Sequence, residues 1–197
     1  MVKERAKGWI LLAGAAAMLW IQLRTAAEAA VVWLPAMLAG LAIALYFRKL
    51  VQYDWKALRS LRFWEDAFMA LSQGLILQAI GILIVVYGLG IAEPNNAVAL
   101  TPAIMVSAVL FSAILEEVVF RHIVFGSLRP RFGFWPAAVV SSLLFAVVHV
   151  DYSAYLGYFL LGLLWCRTYL RSGLAVVVAA HIAFNAVVFV VALLRGV

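Results

Sequence analysis

Apolar residues in this chain come in long unbroken runs separated by short polar breaks, and no run alternates apolar and polar positions. A run of about 20 apolar residues spans a hydrocarbon core of roughly 30 Å as a helix, whereas a barrel strand would alternate over about ten residues. The pattern predicts seven membrane helices, near Trp9–Leu23, Ala26–Phe47, Ala67–Ile91, Pro102–Leu128, Phe134–Val150, Tyr155–Leu170 and Leu174–Leu194. The fold class expected is all-α, a polytopic transmembrane helix bundle forming one integrated membrane domain. Residues 1–97 supply the N-terminal helices and a basic loop, and residues 98–197 a four-helix core.

Breaks between the runs give the topology. Arg48, Lys49, Lys56, Arg59 and Arg62 make the most cationic loop, with Trp55 and Trp64 as interfacial aromatics. Cationic loops face the cytoplasm, so the N-terminus is expected inside and the C-terminus outside. Glu93-Pro94-Asn95-Asn96 reads as a turn on the far side, and Arg129-Pro130-Arg131-Phe132-Gly133 as a short basic turn inside. The first run follows Lys3, Arg5 and Lys7 and has the outline of a signal peptide, but an uncleaved first helix is expected.

Composition changes this picture little. Of 197 residues, 68% are apolar and 12% charged, against about half and a quarter in soluble domains. The net charge of +6 sits between apolar runs, so it argues for membrane lipid and not for nucleic acid as a partner. The single cysteine, Cys166, excludes an internal disulfide and reads as a small buried side chain.

Polar residues inside the runs carry the chemistry. A charge at mid-bilayer costs at least ~2.5–3.5 kcal/mol and faces a polar interior. Glu117 and Arg121 are one helical turn apart and form an expected ion pair, whereas Glu116 has Phe120 at that spacing and is left free for acid–base work. His181 and Asn185 share a helix face, two neighbouring donors suited to holding an oxyanion, and Phe145 stands one turn before His149. From Glu116 to the turn at Arg129 is roughly 20 Å of helix, and from Trp135 to His149 about 21 Å. His181 lies about 12 Å beyond Gly173, so tilt brings all four groups toward one layer. His122 and Asp151 read as structural and as a boundary marker. Gly157, Gly162 and Ala154 read as close helix contacts.

Glu116-Glu117-x-x-x-Arg121, Phe145-x-x-x-His149 and His181-x-x-x-Asn185, in this order on successive helices, resemble the CAAX protease and bacteriocin-processing (CPBP, or Abi) family, which includes type II CAAX prenyl endopeptidases. The resemblance spans roughly Pro102 to Val191. It implies intramembrane proteolysis in which Glu116 and His149 activate a water, His181 and Asn185 stabilise the oxyanion, and Glu117 and Arg121 brace the site. The expected partner is a protein or peptide substrate: a prenylated tail, a bacteriocin precursor or a C-terminal sorting signal. A bacterial or archaeal plasma membrane is the expected location. No cofactor is favoured. Glu116, His149 and His181 are also a ligand set known for catalytic zinc, although no His-Glu-x-x-His signature is present. A proton-coupled carrier uses similar residues, but inverted repeats are not visible. A non-catalytic immunity or scaffold protein of the same fold is the other alternative.

Overall fold

The computed structural model describes residues 2–25, 28–50, 58–91, 101–149 and 151–195. Seven helices and no strands occupy these residues. They are α1 (Val2–Arg24), α2 (Glu28–Leu50), α3 (Leu61–Gly88), α4 (Pro102–Phe132), α5 (Phe134–Val147), α6 (Tyr155–Ser172) and α7 (Leu174–Arg195). A 3₁₀ turn, Tyr152–Ala154, precedes α6. The predicted all-α bundle is what forms. Four helices, α1, α3, α4 and α7, are long and apolar enough to cross a membrane, while α2 and α5 contain shorter apolar helices.

Several ends differ from the sequence expectation. The third helix starts at Leu61, because the Ser60 hydroxyl caps it by accepting from the Phe63 amide (3.3 Å). Arg62 and Trp64 are therefore helical, as are Arg48 and Lys49 in the last turn of α2. Trp55, Lys56 and the turn at Glu93–Asn96 lie outside the described residues. The expected loop at Arg129–Arg131 is the last turn of α4. Only Gly133 leaves the helix, at φ +80°, with its amide donating to the Arg129 carbonyl (2.9 Å). Gly173 does the same between α6 and α7, at φ +88°. Both positions need the left-handed freedom of glycine, and each sets up an antiparallel hairpin.

Side-chain contacts align the helix ends. Asp66, near the start of α3, accepts from Arg171 and Ser172 at the end of α6 (both 2.8 Å). Lys7, in α1, donates to the Leu45 carbonyl near the end of α2 (3.4 Å). Tyr46 packs edge-on against His122, and Phe125 against Phe134 and Tyr169. Lys7, Arg59, Arg62, Arg129, Arg131, Arg167 and Arg171 thus gather at one end of the bundle. Arg24 and Arg195 stand at the opposite ends of α1 and α7.

Close approaches between helices use small residues. A Cβ on Gly81 would lie 2.3 Å from the Gly157 amide nitrogen, and one on Gly162 would lie 2.7 Å from the Ser142 Cβ. Gly157 and Gly162 therefore act as read from the sequence, α6 against α3 and α5 respectively, and Ala154 is buried. Helix α2 is tied to α4 by a different device. Pro35 has no amide to donate to the Val31 carbonyl. The buried Ser107 hydroxyl instead reaches the Val31 and Val32 carbonyls (3.2 and 3.1 Å).

Candidate active site

Glu116 lies near the middle of α4, between two stretches of π-helix, Ser107–Ser112 and Glu117–Phe125. A π-turn shifts the bonding to i+5 and recurs at functional sites. It also leaves carbonyls for side chains to use. Ser141 donates to the Phe120 carbonyl (2.7 Å), and the Asn185 amide donates to the Ala108 carbonyl (3.0 Å). These two bonds dock α5 and α7 onto α4 at the level of the site.

Three of the four residues singled out in the sequence converge. Glu116 Oε2 faces His149 Nε2 at 4.0 Å and His181 Nε2 at 3.8 Å. That oxygen is buried and has no hydrogen-bond partner among the described residues. Asn185 is one turn beyond His181 on α7, but its described bond goes to Ala108 and not to the cluster.

Each imidazole is oriented through its other nitrogen. His149 Nδ1 donates to the Phe145 carbonyl (2.7 Å). His181 Nδ1 donates to Glu117 Oε1 (2.7 Å). A carbonyl or carboxylate oxygen only accepts, so Nδ1 carries the hydrogen in both rings. Both Nε2 atoms are thereby turned toward Glu116.

Glu117 does more than the expected pairing with Arg121. Its other oxygen lies 3.2 Å from Arg121 Nε, and both side chains are 0% exposed. One carboxylate therefore neutralises a buried cation and holds a histidine. Periodicity along α4 gives the first contact but carries no information about the second, which crosses to α7. The Arg121 guanidinium lies over the rings of Phe145 (4.2 Å) and Trp165 (5.2 Å). Among the described residues neither Nη1 nor Nη2 has a hydrogen-bond acceptor, and those aromatic faces attract the cation instead.

Aromatic rings complete the walls. Phe145 meets the His149 ring at 4.8 Å, as the one-turn spacing predicts. Tyr158 stacks on the other side of His149 (4.0 Å, 26° between planes), and Trp165 packs on His181 (4.3 Å). Neither Tyr158 nor Trp165 stood out in the sequence, since an aromatic in an apolar run carries no mark of its own. His122, read as structural, bonds the Tyr169 hydroxyl through Nδ1 (2.9 Å). Asp151 caps the 3₁₀ turn by accepting from the Ser153 amide (3.0 Å). His149 does not close the fifth helix but follows it, since α5 ends at Val147.

A tetrahedral zinc with bonds of about 2.0–2.1 Å would need its ligand atoms about 3.3 Å apart. The Glu116–histidine separations are 3.8 and 4.0 Å, wider than that spacing. Among the described residues no group of three histidines, cysteines or carboxylates is placed to hold a metal. A water bonded at about 2.8 Å to each group bridges the observed separations readily.

No curated protein and no solved structure matches the chain. Residues 97–187 match the family model described as type II CAAX prenyl endopeptidase Rce1-like. That stretch holds Glu116, Glu117, Arg121, His149, His181 and Asn185. With apolar helices long enough to cross a bilayer, the chain is an integral membrane protein whose residues 97–187 are similar to the Rce1-like type II CAAX prenyl endopeptidases.

Proposed function

We propose that the chain hydrolyses a peptide bond of a membrane-associated protein or peptide, using a water activated by Glu116 together with His149. The observation that carries this reading is the Glu116 oxygen, buried without a hydrogen-bond partner yet facing two imidazole Nε2 atoms at 3.8 and 4.0 Å. An unmet acceptor inside a membrane protein is costly, and a substrate water supplies what it lacks.

In the proposed reaction the water is held between Glu116 Oε2 and His149 Nε2. Its oxygen bonds to the scissile carbonyl carbon as Glu116 takes its proton. In this reading His181, carrying a proton on Nε2, and the Asn185 amide stabilise the developing oxyanion. Collapse breaks the carbon–nitrogen bond, and Glu116 passes its proton to the leaving amine. Glu117 and Arg121 touch no reacting atom and act by positioning His181.

Reconstituted protein should cleave a susceptible peptide, and Glu116→Gln should cut the rate by at least about 10³-fold, since it removes the base. Equal cleavage by both proteins would remove Glu116 from the chemistry. Proton uptake without cleavage would favour a carrier.

A further inference from the structure

Helix α3 packs against α6 and α7, which leaves its outer face uncovered. Met69, Gln73, Ile76, Ile80 and Leu83 are all exposed there. They follow one another by alternate steps of four and three residues. That spacing keeps side chains on one seam when two helices coil together. Residues 69–80 lie two turns or more inside both ends of α3, so the middle of the stripe stands well away from the connecting segments.

Four of these five side chains are apolar and suit lipid, and Gln73 does not. It stands nine residues beyond Trp64, an exposed ring of the kind that marks a membrane surface. It therefore lies about 13 Å deeper along the helix, close to the middle of a hydrocarbon core about 30 Å thick. Its amide makes no hydrogen bond among the described residues. The groove it shares with Asp66, Thr168, Arg171 and Ser172 offers no spare partner at its level. Asp66 already holds Arg171 and Ser172, and the Thr168 hydroxyl donates to the Leu164 carbonyl (3.1 Å). Lipid tails supply neither donor nor acceptor, and a polar group left without either is costly.

We propose that α3 is the contact between two copies of this chain, joined by amide hydrogen bonds between Gln73 and the partner's Gln73. Every copy inserts with the same orientation. Two α3 helices therefore meet parallel across a two-fold axis along the membrane normal, and each seam residue faces its own copy. A carboxylate or an ammonium group at such a position would repel that copy. An amide carries both donor and acceptor, so each side chain gives one N–H and accepts one. A polar residue at a single seam position sets the register of coiled helices, and glutamine bonds join helices in membranes. Met69, Ile76, Ile80 and Leu83 pack the rest of the seam. This contact does not depend on the peptidase reading.

Disulfide cross-linking in native membranes tests the contact. In a Cys166→Ser background of the full chain, Ile76→Cys and Ile80→Cys place thiols on the seam. Phe68→Cys and Ala79→Cys place them on another exposed side of the same helix. A disulfide needs Cα atoms about 4.4–6.8 Å apart. Oxidation should give at least about tenfold more cross-linked dimer from positions 76 and 80 than from 68 and 79. Energy transfer between donor- and acceptor-labelled copies, diluted with lipid in vesicles, then reads the affinity. Gln73→Leu should weaken association about 3- to 20-fold, and Gln73→Asn, which keeps both donor and acceptor, should weaken it less. The thermal midpoint of Gln73→Leu in a monomerising detergent should match that of the parent. Equal cross-linking at all four positions, cross-links only to a different protein, or unchanged energy transfer in Gln73→Leu would each overturn the contact. So would a lower midpoint in that variant, since it would give the Gln73 amide a partner inside its own chain.

Discussion

Glu117 has two partners, and a pair of substitutions separates them. Glu117→Leu removes the counter-ion of a fully buried guanidinium. Breaking a buried ion pair from one side costs about 3–5 kcal/mol. The rings of Phe145 and Trp165 attract the cation and offset about 1–2 kcal/mol of this. A net loss of about 2–3 kcal/mol is expected, read as a lower thermal midpoint in detergent. Adding Arg121→Met removes the stranded charge, and replacing both partners of a buried pair by apolar groups is often neutral. Stability should therefore return to near that of the parent protein. Activity should not return, because His181 Nδ1 still lacks the acceptor it has at 2.7 Å. Losing one oriented oxyanion donor costs about 10²–10³-fold, so both variants should cleave at least about 100-fold more slowly. Glu117→Gln with Arg121→Met should recover part of the rate, since the amide oxygen can accept from His181 once no cation competes for it. The assay is initial cleavage rate beside thermal unfolding of the same preparation. Full activity in the Leu–Met double variant would refute a role for Glu117 in holding His181.

Tyr158→Leu should lower kcat about 3- to 10-fold with little change in KM, from the loss of a ring stack worth about 0.5–1.5 kcal/mol, while Tyr158→Phe keeps the rate; the measurement is steady-state kinetics. Gly81→Ala should destabilise the bundle by at least about 1–3 kcal/mol, because the new methyl meets the Gly157 backbone at 2.3 Å. Gly40→Ala, with nothing within 4 Å, should gain about 0.5–1 kcal/mol from helix propensity, and parallel unfolding in one detergent compares the two. Dialysis against a strong chelator should leave the cleavage rate unchanged, given the wide spacing of Glu116 and the two histidines; a loss restored by zinc would assign the reaction to a metal.

The helices were legible because lipid imposes one demand along each whole segment, and seven apolar runs answer it. Their ends were less so, since a cap such as Ser60 or a turn of helix through Arg129–Arg131 depends on single hydroxyls and glycines. At the site, the Glu117–Arg121 pair and the Phe145–His149 contact follow from one-turn spacing within a chain segment. The Glu117–His181 bond, the Tyr158 stack and the Trp165 wall do not. Each joins helices far apart in sequence, and a tyrosine or tryptophan among apolar neighbours looks the same whether it faces lipid or a histidine. Asn185 is the instructive middle case: its spacing from His181 was plain, but the π-turn that frees the Ala108 carbonyl for it was not.

The Ser107 hydroxyl beneath Pro35 also bears on how this protein can be divided. Ser107 falls inside the stretch shared with the family, and Val31 falls outside it. Remove the first two helices and that hydroxyl loses its acceptors, while Leu115 and Val118, now covered, meet lipid or water instead. A recombinant fragment limited to the motif-bearing half would thus be a different object from the same residues in the whole chain, and its silence in an assay would say nothing about the enzyme.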